Sequence, residues 1–260
     1  MNDAATDAAT DAATDAGRFY AKAAKERAGR TSCCGSVAPT LAAGYEQEGL
    51  DQAPQEAVEA SFGCGDPVAF ADVQPGQTVL DLGCGAGLDL IIAAGKVGTT
   101  GKIIGVDASE DMLPLAQANI ERAGVGAQVE LRQGMIEELP VESHSVDWVI
   151  SNCVVNLSTD KPQVFREIRR VLKPGGSAVI ADLVAENLPD WVSAHTDLYS
   201  ACVSGAVSEQ RYLELAREAG FEEAKVTARM DYDESMVRGV ISDALPIDID
   251  EIAGRLAMSR

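Results

Sequence analysis

No run of about 18 apolar residues occurs in this chain of 260 residues, so nothing in it reads as a transmembrane helix. The first residues carry no basic segment followed by an apolar one, hence no secretory signal, and the expected location is the cytoplasm. Basic side chains are scarce: 21 Lys and Arg stand against 41 Asp and Glu, a formal charge of −20. Like charges repel, so DNA, RNA and an anionic membrane are disfavoured as partners. Histidine is almost absent. His144, in VESHSVD, reads as a solvated loop residue, and His195, in WVSAHTDLY, as one on a helix surface. No C-x-x-C pair occurs either, which excludes a zinc ribbon.

What is present is an ordinary globular composition, 46% apolar and 24% charged, with length enough for one substantial α/β domain and appendages. Residues 1–16 carry the repeat DAATDAATDAATDA. It has no aromatic or branched aliphatic side chain to bury, so a disordered tail is expected. Residues 17–60 form an N-terminal extension: a short helix over Phe19–Ala28, TSCCGS with Cys33 and Cys34, then loops as far as Ala53-Pro54. From Thr78 the pattern alternates. TVLDLG, KIIGVDA, VELRQG, VDWVISN and SAVIADLVA read as strands. GLDLIIAAGKVG, SEDMLPLAQANIERAG (Ser109 as N-cap) and DKPQVFREIRRVLKPGG read as helices, the last stopping at its Lys-Pro-Gly-Gly. Beyond them come a helical stretch over Trp191–Gly205, a helix over Glu209–Ala219, a last strand AKVTARM, and MVRGVISDALP, strand or helix. The expected fold is α/β, a doubly wound, mostly parallel sheet with N- and C-terminal extensions. Residues 61–185 would be its core, and residues 186–260 would supply substrate-side helices and a tail.

The first strand-to-helix turn is DLGCGAG, Asp81–Gly87. Glycines at 83, 85 and 87 allow a tight turn and a close approach of backbone to ligand. In a doubly wound sheet, ligands bind outside the carboxyl ends of the strands. The second strand ends in Asp107, whose carboxylate suits a ribose diol. The G-x-G-x-x-G spacing of a dinucleotide site is missing. Together the loop and the acid predict a nucleoside-bearing cofactor.

VLDLGCGAG, GVDAS, LRQGMIEELP and RVLKPGG, from about Thr78 to Gly176, resemble successive blocks of the class I S-adenosylmethionine-dependent methyltransferases. The resemblance implies a Rossmann-like fold and S-adenosylmethionine as cofactor. The loop of Gly83, Cys84, Gly85 and Gly87 would then lie beside the methionine moiety, and Asp81 would fix the loop and the amino-acid part. Asp107 would hold the ribose hydroxyls. Ala108, Ser109 and Met112 would flank the adenine, with Met135 and Ile136 touching it by packing and backbone. Glu137 is assigned no side-chain role.

Without an export signal the six cysteines are expected to be reduced thiols. Cys84 suits a small, packed position in the glycine loop, and Cys33 and Cys34 are adjacent, which strains a bond between them. Cys64 lies in SFGCGDP before the first sheet strand, Cys153 ends the fourth strand, and Cys202 follows the fifth in LYSACVSGA. Each alone is a small hydrophobe. All three segments can meet above the carboxyl edge of the sheet, and thiolates favour soft metals and metalloids. Asn152 would contact the cofactor or the loop backbone, and Asn156 would cap the turn after Cys153.

SFGCGDP, SNCVVNLSTDKPQVFREIRRVLKPGG and DLYSACVSGAVS, within about Ser61 to Phe221, resemble the arsenite methyltransferases. That resemblance implies that Cys64, Cys153 and Cys202 bind trivalent arsenic, supplied as arsenite or methylarsenite. It also implies that Cys33 or Cys34 takes part in disulfide exchange. Arsenite would exchange hydroxyls for cysteine sulfurs, and the arsenic lone pair would take the methyl group without a general base. Nearby thiols would return pentavalent product to trivalent by forming a disulfide, which thioredoxin or glutathione reduces. Two other readings compete: methylation of another small acceptor, such as a quinone-type ring, a sterol or another metalloid, and a non-enzymatic thiol-based metalloid binder.

Overall fold

A computed structural model of the chain describes Lys22, residues 44–186 and residues 203–231. Three short helices, α1 (Gln47–Leu50), α2 (Gln55–Glu59) and α3 (Pro67–Phe70), precede the sheet. Then follow β1 (Thr78–Leu82), α4 (Leu88–Val97), β2 (Lys102–Asp107), α5 (Met112–Arg122), β3 (Val129–Gln133) and β4 (Val146–Asn152). A 3-10 turn (Val155–Leu157), α6 (Lys161–Val171), β5 (Leu172–Ala181) and α7 (Glu209–Glu218) complete the described elements. The five strands pair in parallel in the order β3-β2-β1-β4-β5. The order reverses at β1, so the first glycine loop opens at the switch point where such sheets bind ligands.

Two apolar layers sandwich the sheet, because successive strand side chains point to opposite faces. Val79, Ile103 and Ile150 pack with α4, which is buried along almost its whole length. Leu80, Leu82, Ile104 and Val106 pack on the other face with Val164, Phe165, Ile168 and Val171 of α6. That spacing lays one stripe of α6 on the sheet. Asp160 caps the helix by accepting from the Gln163 amide (3.0 Å).

Four local expectations change. Ser109 does not cap α5: the helix starts at Met112 behind Asp111, and the Ser109 amide is spent on Asp107. The Lys-Pro-Gly-Gly after α6 lies inside β5 as a bulge, where the register jumps from Val146↔Leu172 to Trp148↔Ser177. AKVTARM forms no strand among the described residues. Lys225 and Arg229 instead pair in solvent with Glu223 and Glu209, and no neighbouring strand takes up the backbone. The stretch before Ala53-Pro54, read as loop, holds α1. The Phe19–Ala28 helix, apart from helical Lys22, and MVRGVISDALP lie outside the described residues, as does most of Trp191–Gly205.

Candidate active site

The glycine loop leaves β1 through three left-handed residues, Gly83 (φ 67°), Gly85 (φ 52°) and Gly87 (φ 90°). At Gly83 the space is filled as well: a Cβ there would collide with Val154 Cγ2. Val106 O receives both the Gly83 and Cys84 amides (2.8 and 3.0 Å). Asp107 accepts from the Gly85 amide on one oxygen and the Ser109 amide on the other, 2.8 Å each. One carboxylate therefore ties the loop to the segment that leads into α5. Beside it opens a cleft with about 1020 Å³ of empty space, open solvent included. Gly83, Asp107, Met112, Ile136 and Cys153 are among the residues that line it.

The chemistry of this cleft is acidic beneath an apolar wall. Burial lifts the carboxyls of Asp81 and Asp107 above the usual range, and repulsion from Asp89 and Asp107 adds to it at Asp81. Burial raises Asp89 to about 7, against hydrogen bonds from Asn152 and Tyr45 that pull it down. Burial, with Asp107 and Asp81 nearby, also pushes the Cys84 thiol up, so Cys84 is an inert packed residue. Glu137 lines the cleft too. Its Oε1 accepts from Ser158 Oγ, while its buried Oε2 has no partner among the described residues.

At the adjoining end of β4, Asn152 fastens a distant turn. Its Oδ1 accepts the Cys64 amide (2.9 Å), and its Nδ2 lies 2.7 Å from Gly65 O and 2.7 Å from the Tyr45 hydroxyl. Tyr45 donates in turn to Asp89 (2.9 Å), and Asp89 Oδ2 lies 3.1 Å from Asn152 Nδ2. Cys153, the next residue, is held at φ 56° with its amide on Ala181 O (2.8 Å). For a residue with a Cβ this conformation costs about 1–2 kcal/mol, and such strain collects at functional sites. Its effect is to turn the sulfur toward Cys64. The two are joined as a disulfide, with Cα atoms 6.0 Å apart. A carboxylate oxygen of Asp182 and the two sulfurs all lie within 4.8 Å of one another.

The methyltransferase-domain family profile matches residues 74–220. The arsenite methyltransferase of Halobacterium salinarum is 41% identical over 206 residues, which cover 77% of this chain and 52% of that protein. The human arsenite methyltransferase is 32% identical over 67% of this chain and 48% of its own length. An arsenic (III) S-adenosylmethionine methyltransferase from Chlamydomonas reinhardtii superimposes with a TM-score of 0.59 at 32% identity, covering 79% of this chain and 69% of that one. The chain belongs to the arsenite methyltransferase family. It spans about half the length of the curated relatives it matches. A demethylmenaquinone methyltransferase of Bacillus cereus is also similar, at 40% identity, over only 44% of this chain.

Gly83, Cys84, Gly85, Asp107, Ala108, Ser109, Met112, Met135, Ile136 and Asn152 all line the cleft. Asp81 and Gly87 do not; Asp81 is buried, and Gly87 closes the turn against Ala116 of α5. The expectation of free thiols is corrected at Cys64 and Cys153, because Asn152 and the left-handed turn carry the two sulfurs into bonding range. Cys202, Cys33, Cys34 and His195 lie outside the described residues. His144 is exposed, with Nδ1 held 3.0 Å from Leu172 O. Asn156 is fully buried and donates to Leu183 O (2.8 Å), joining the turn after β4 to the one after β5. Sequence reasoning missed Tyr45 and Asp89, and it assigned Glu137 no role. Only Glu137 had a signal, its place in the third block.

Proposed function

We propose that this chain transfers the methyl group of S-adenosylmethionine to trivalent arsenic held by cysteine sulfurs. The observation that carries the reading is the pairing of Cys64 and Cys153, segments 89 residues apart, at the lip of the Asp107 cleft. The cleft suits the cofactor on its own chemistry. Asp89, which lines the cleft and is raised to about 7, can give up its proton to face a cationic ammonium or sulfonium group, and Glu137 Oε2, without a partner among the described residues, can accept from an adenine amino group. Asp107, already tied to the loop, retains lone pairs for the ribose hydroxyls. When bound, S-adenosylmethionine supplies an electrophilic methyl group on sulfur.

The rest belongs to the chain and the substrate. Reduction of the Cys64–Cys153 bond frees two thiols, with thioredoxin or glutathione as the reductant. Each thiol replaces one hydroxyl of arsenite: an As–S bond forms, an As–O bond breaks, and the thiol proton leaves with the hydroxyl as water. Cys202 is the third sulfur in this reading, and Cys33 or Cys34 serves disulfide exchange. The arsenic keeps its lone pair and needs no base. Asn152 and the turn at Cys153 hold the pair in place, so that reaction occurs between positioned groups rather than colliding ones. Incubation with arsenite, methyl-labelled S-adenosylmethionine and a thiol reductant, followed by arsenic speciation, tests the reading. Labelled methylarsenicals are expected. Label found only on an added demethylated quinone, or on neither acceptor, contradicts it.

A further inference from the structure

Asp89, in the first turn of α4, is a buried acid on the cleft wall that forms no ion pair among the described residues. Its carboxylate begins a hydrogen-bond chain that ends at the thiol pair. Burial, with the Asp89 charge beside it, pushes the Tyr45 phenol well above its usual range, so Tyr45 keeps its proton. Tyr45 gives that one proton to Asp89, whose two oxygens lie 2.9 and 3.1 Å from the hydroxyl. The Tyr45 oxygen can then only accept, and Asn152 Nδ2 donates to it (2.7 Å) and to Gly65 O (2.7 Å). An amide nitrogen has two hydrogens, so the longer approach of Asn152 Nδ2 to Asp89 Oδ2, 3.1 Å, is secondary. With Nδ2 so placed, Asn152 Oδ1 faces the Cys64 amide (2.9 Å).

The chain has a direction, and Asp89 sets it. As a carboxylate Asp89 only accepts, so each donor, from the Cys64 amide through Asn152 to Tyr45, points toward α4. With a proton on Asp89 the order can reverse: Asp89 donates to Tyr45, and Tyr45 donates to Asn152 Oδ1. The turned amide then sets Nδ2 against the Cys64 N–H, donor against donor. Burial, with Asp66 nearby, keeps the two forms of Asp89 close in energy at neutral pH, and Asp81 is the other acid whose charge couples to it. A cation in the cleft favours the carboxylate. We propose that Asp89 is a positioning residue: the cationic end of the cofactor holds it as the acceptor that fixes Asn152 and, through Asn152, the Cys64 turn, so that cofactor and arsenic favour each other's binding. This rests on the functional reading above and deepens it. It applies equally to two or three sulfurs on arsenic.

The test is equilibrium binding of arsenite to the reduced full chain, alone and with saturating sinefungin, which carries an amine in place of the methylated sulfonium and transfers no group. Methylthioadenosine, a nucleoside with neither the ammonium nor a sulfonium, is the comparison. In wild type, sinefungin is expected to raise arsenite affinity at least about fivefold, and methylthioadenosine to leave it within about twofold. In Asp89→Asn the sinefungin effect should fall to within about twofold. Tyr45→Phe keeps the carboxylate but has no hydroxyl to relay it, and should lose the effect as well. A residue that only supports the fold would change arsenite affinity equally with and without sinefungin. No sinefungin effect in wild type, an equal effect from methylthioadenosine, or a wild-type effect in Tyr45→Phe overturns the proposal. So does a wild-type effect in Asp89→Asn. If reduced wild type binds no arsenite, or no sinefungin, the functional reading itself fails and the proposal falls with it.

Discussion

Replacing Asn152 by alanine removes the clamp on the Cys64 turn, and its cost follows from the bonds involved. The side chain accepts from the Cys64 amide and donates to Gly65 O and the Tyr45 hydroxyl. At about 1 kcal/mol net each, three such bonds amount to about 3 kcal/mol. A cost of 3 kcal/mol lowers the melting temperature of a chain this long by about 6–12 °C. The fully reduced protein is the right sample, since the Cys64–Cys153 bond otherwise restrains the same turn. Thermal unfolding under reductant gives the stability, and reoxidation kinetics of the Cys64–Cys153 pair give the positioning. Both should fall, reoxidation the more so because the sulfurs no longer face each other in advance. Stability within about 0.5 kcal/mol of wild type and unchanged reoxidation would refute the claim that Asn152 builds the thiol site.

Three other expectations bear on the cofactor side and on the turn. Asp89 holds its proton to about 7, and Asp182 holds its own to about 6. Folded protein thus binds protons that unfolded chain releases near pH 4, so stability declines as pH rises from about 4 to about 7 and then levels. Asp89→Asn should flatten the upper part of that decline in urea titrations across pH; an unchanged slope contradicts the assignment. Gly83→Ala, strained at φ 67° and blocked by Val154, should lower S-adenosylmethionine affinity at least about tenfold in calorimetry. Retained affinity would show that the loop can shift. Cys153→Gly should relieve the left-handed strain and raise the stability of the reduced protein by about 1 kcal/mol while abolishing arsenite binding; a loss of stability would mean that packing of the sulfur outweighs the strain.

Motifs with a local physical cause were readable from residue order. The strands of β1 and β2 are apolar runs bounded by glycine or acid, and the loop after β1 needs glycines because its backbone is left-handed. Asp107 followed from its place at the end of β2. That Cys64 and Cys153 can meet on one edge was legible, since Cys153 follows β4 at its carboxyl end and the turn of Cys64, before β1, is within reach of that edge. Their bond was not, because it depends on a left-handed conformation at Cys153 that a cysteine does not announce. Nor was the Tyr45–Asp89–Asn152 network, whose members are 44 to 107 residues apart and meet only through packing. AKVTARM alternates like a strand, yet alternation alone creates no neighbour to pair with. Glu137 went unassigned because its role depends on which carboxylate oxygen is left without a donor.

The central claim is that arsenic is methylated on a sulfur-bound complex in which Cys153 is a ligand. Arsenic speciation after incubation of wild type and Cys153→Ser with arsenite, S-adenosylmethionine and a thiol reductant tests it most directly. A circular dichroism spectrum and a cofactor-binding isotherm would establish that the variant is folded. The expected result is methylated arsenic from wild type and none above background from Cys153→Ser, with cofactor affinity unchanged. Normal methylation by Cys153→Ser would contradict the account.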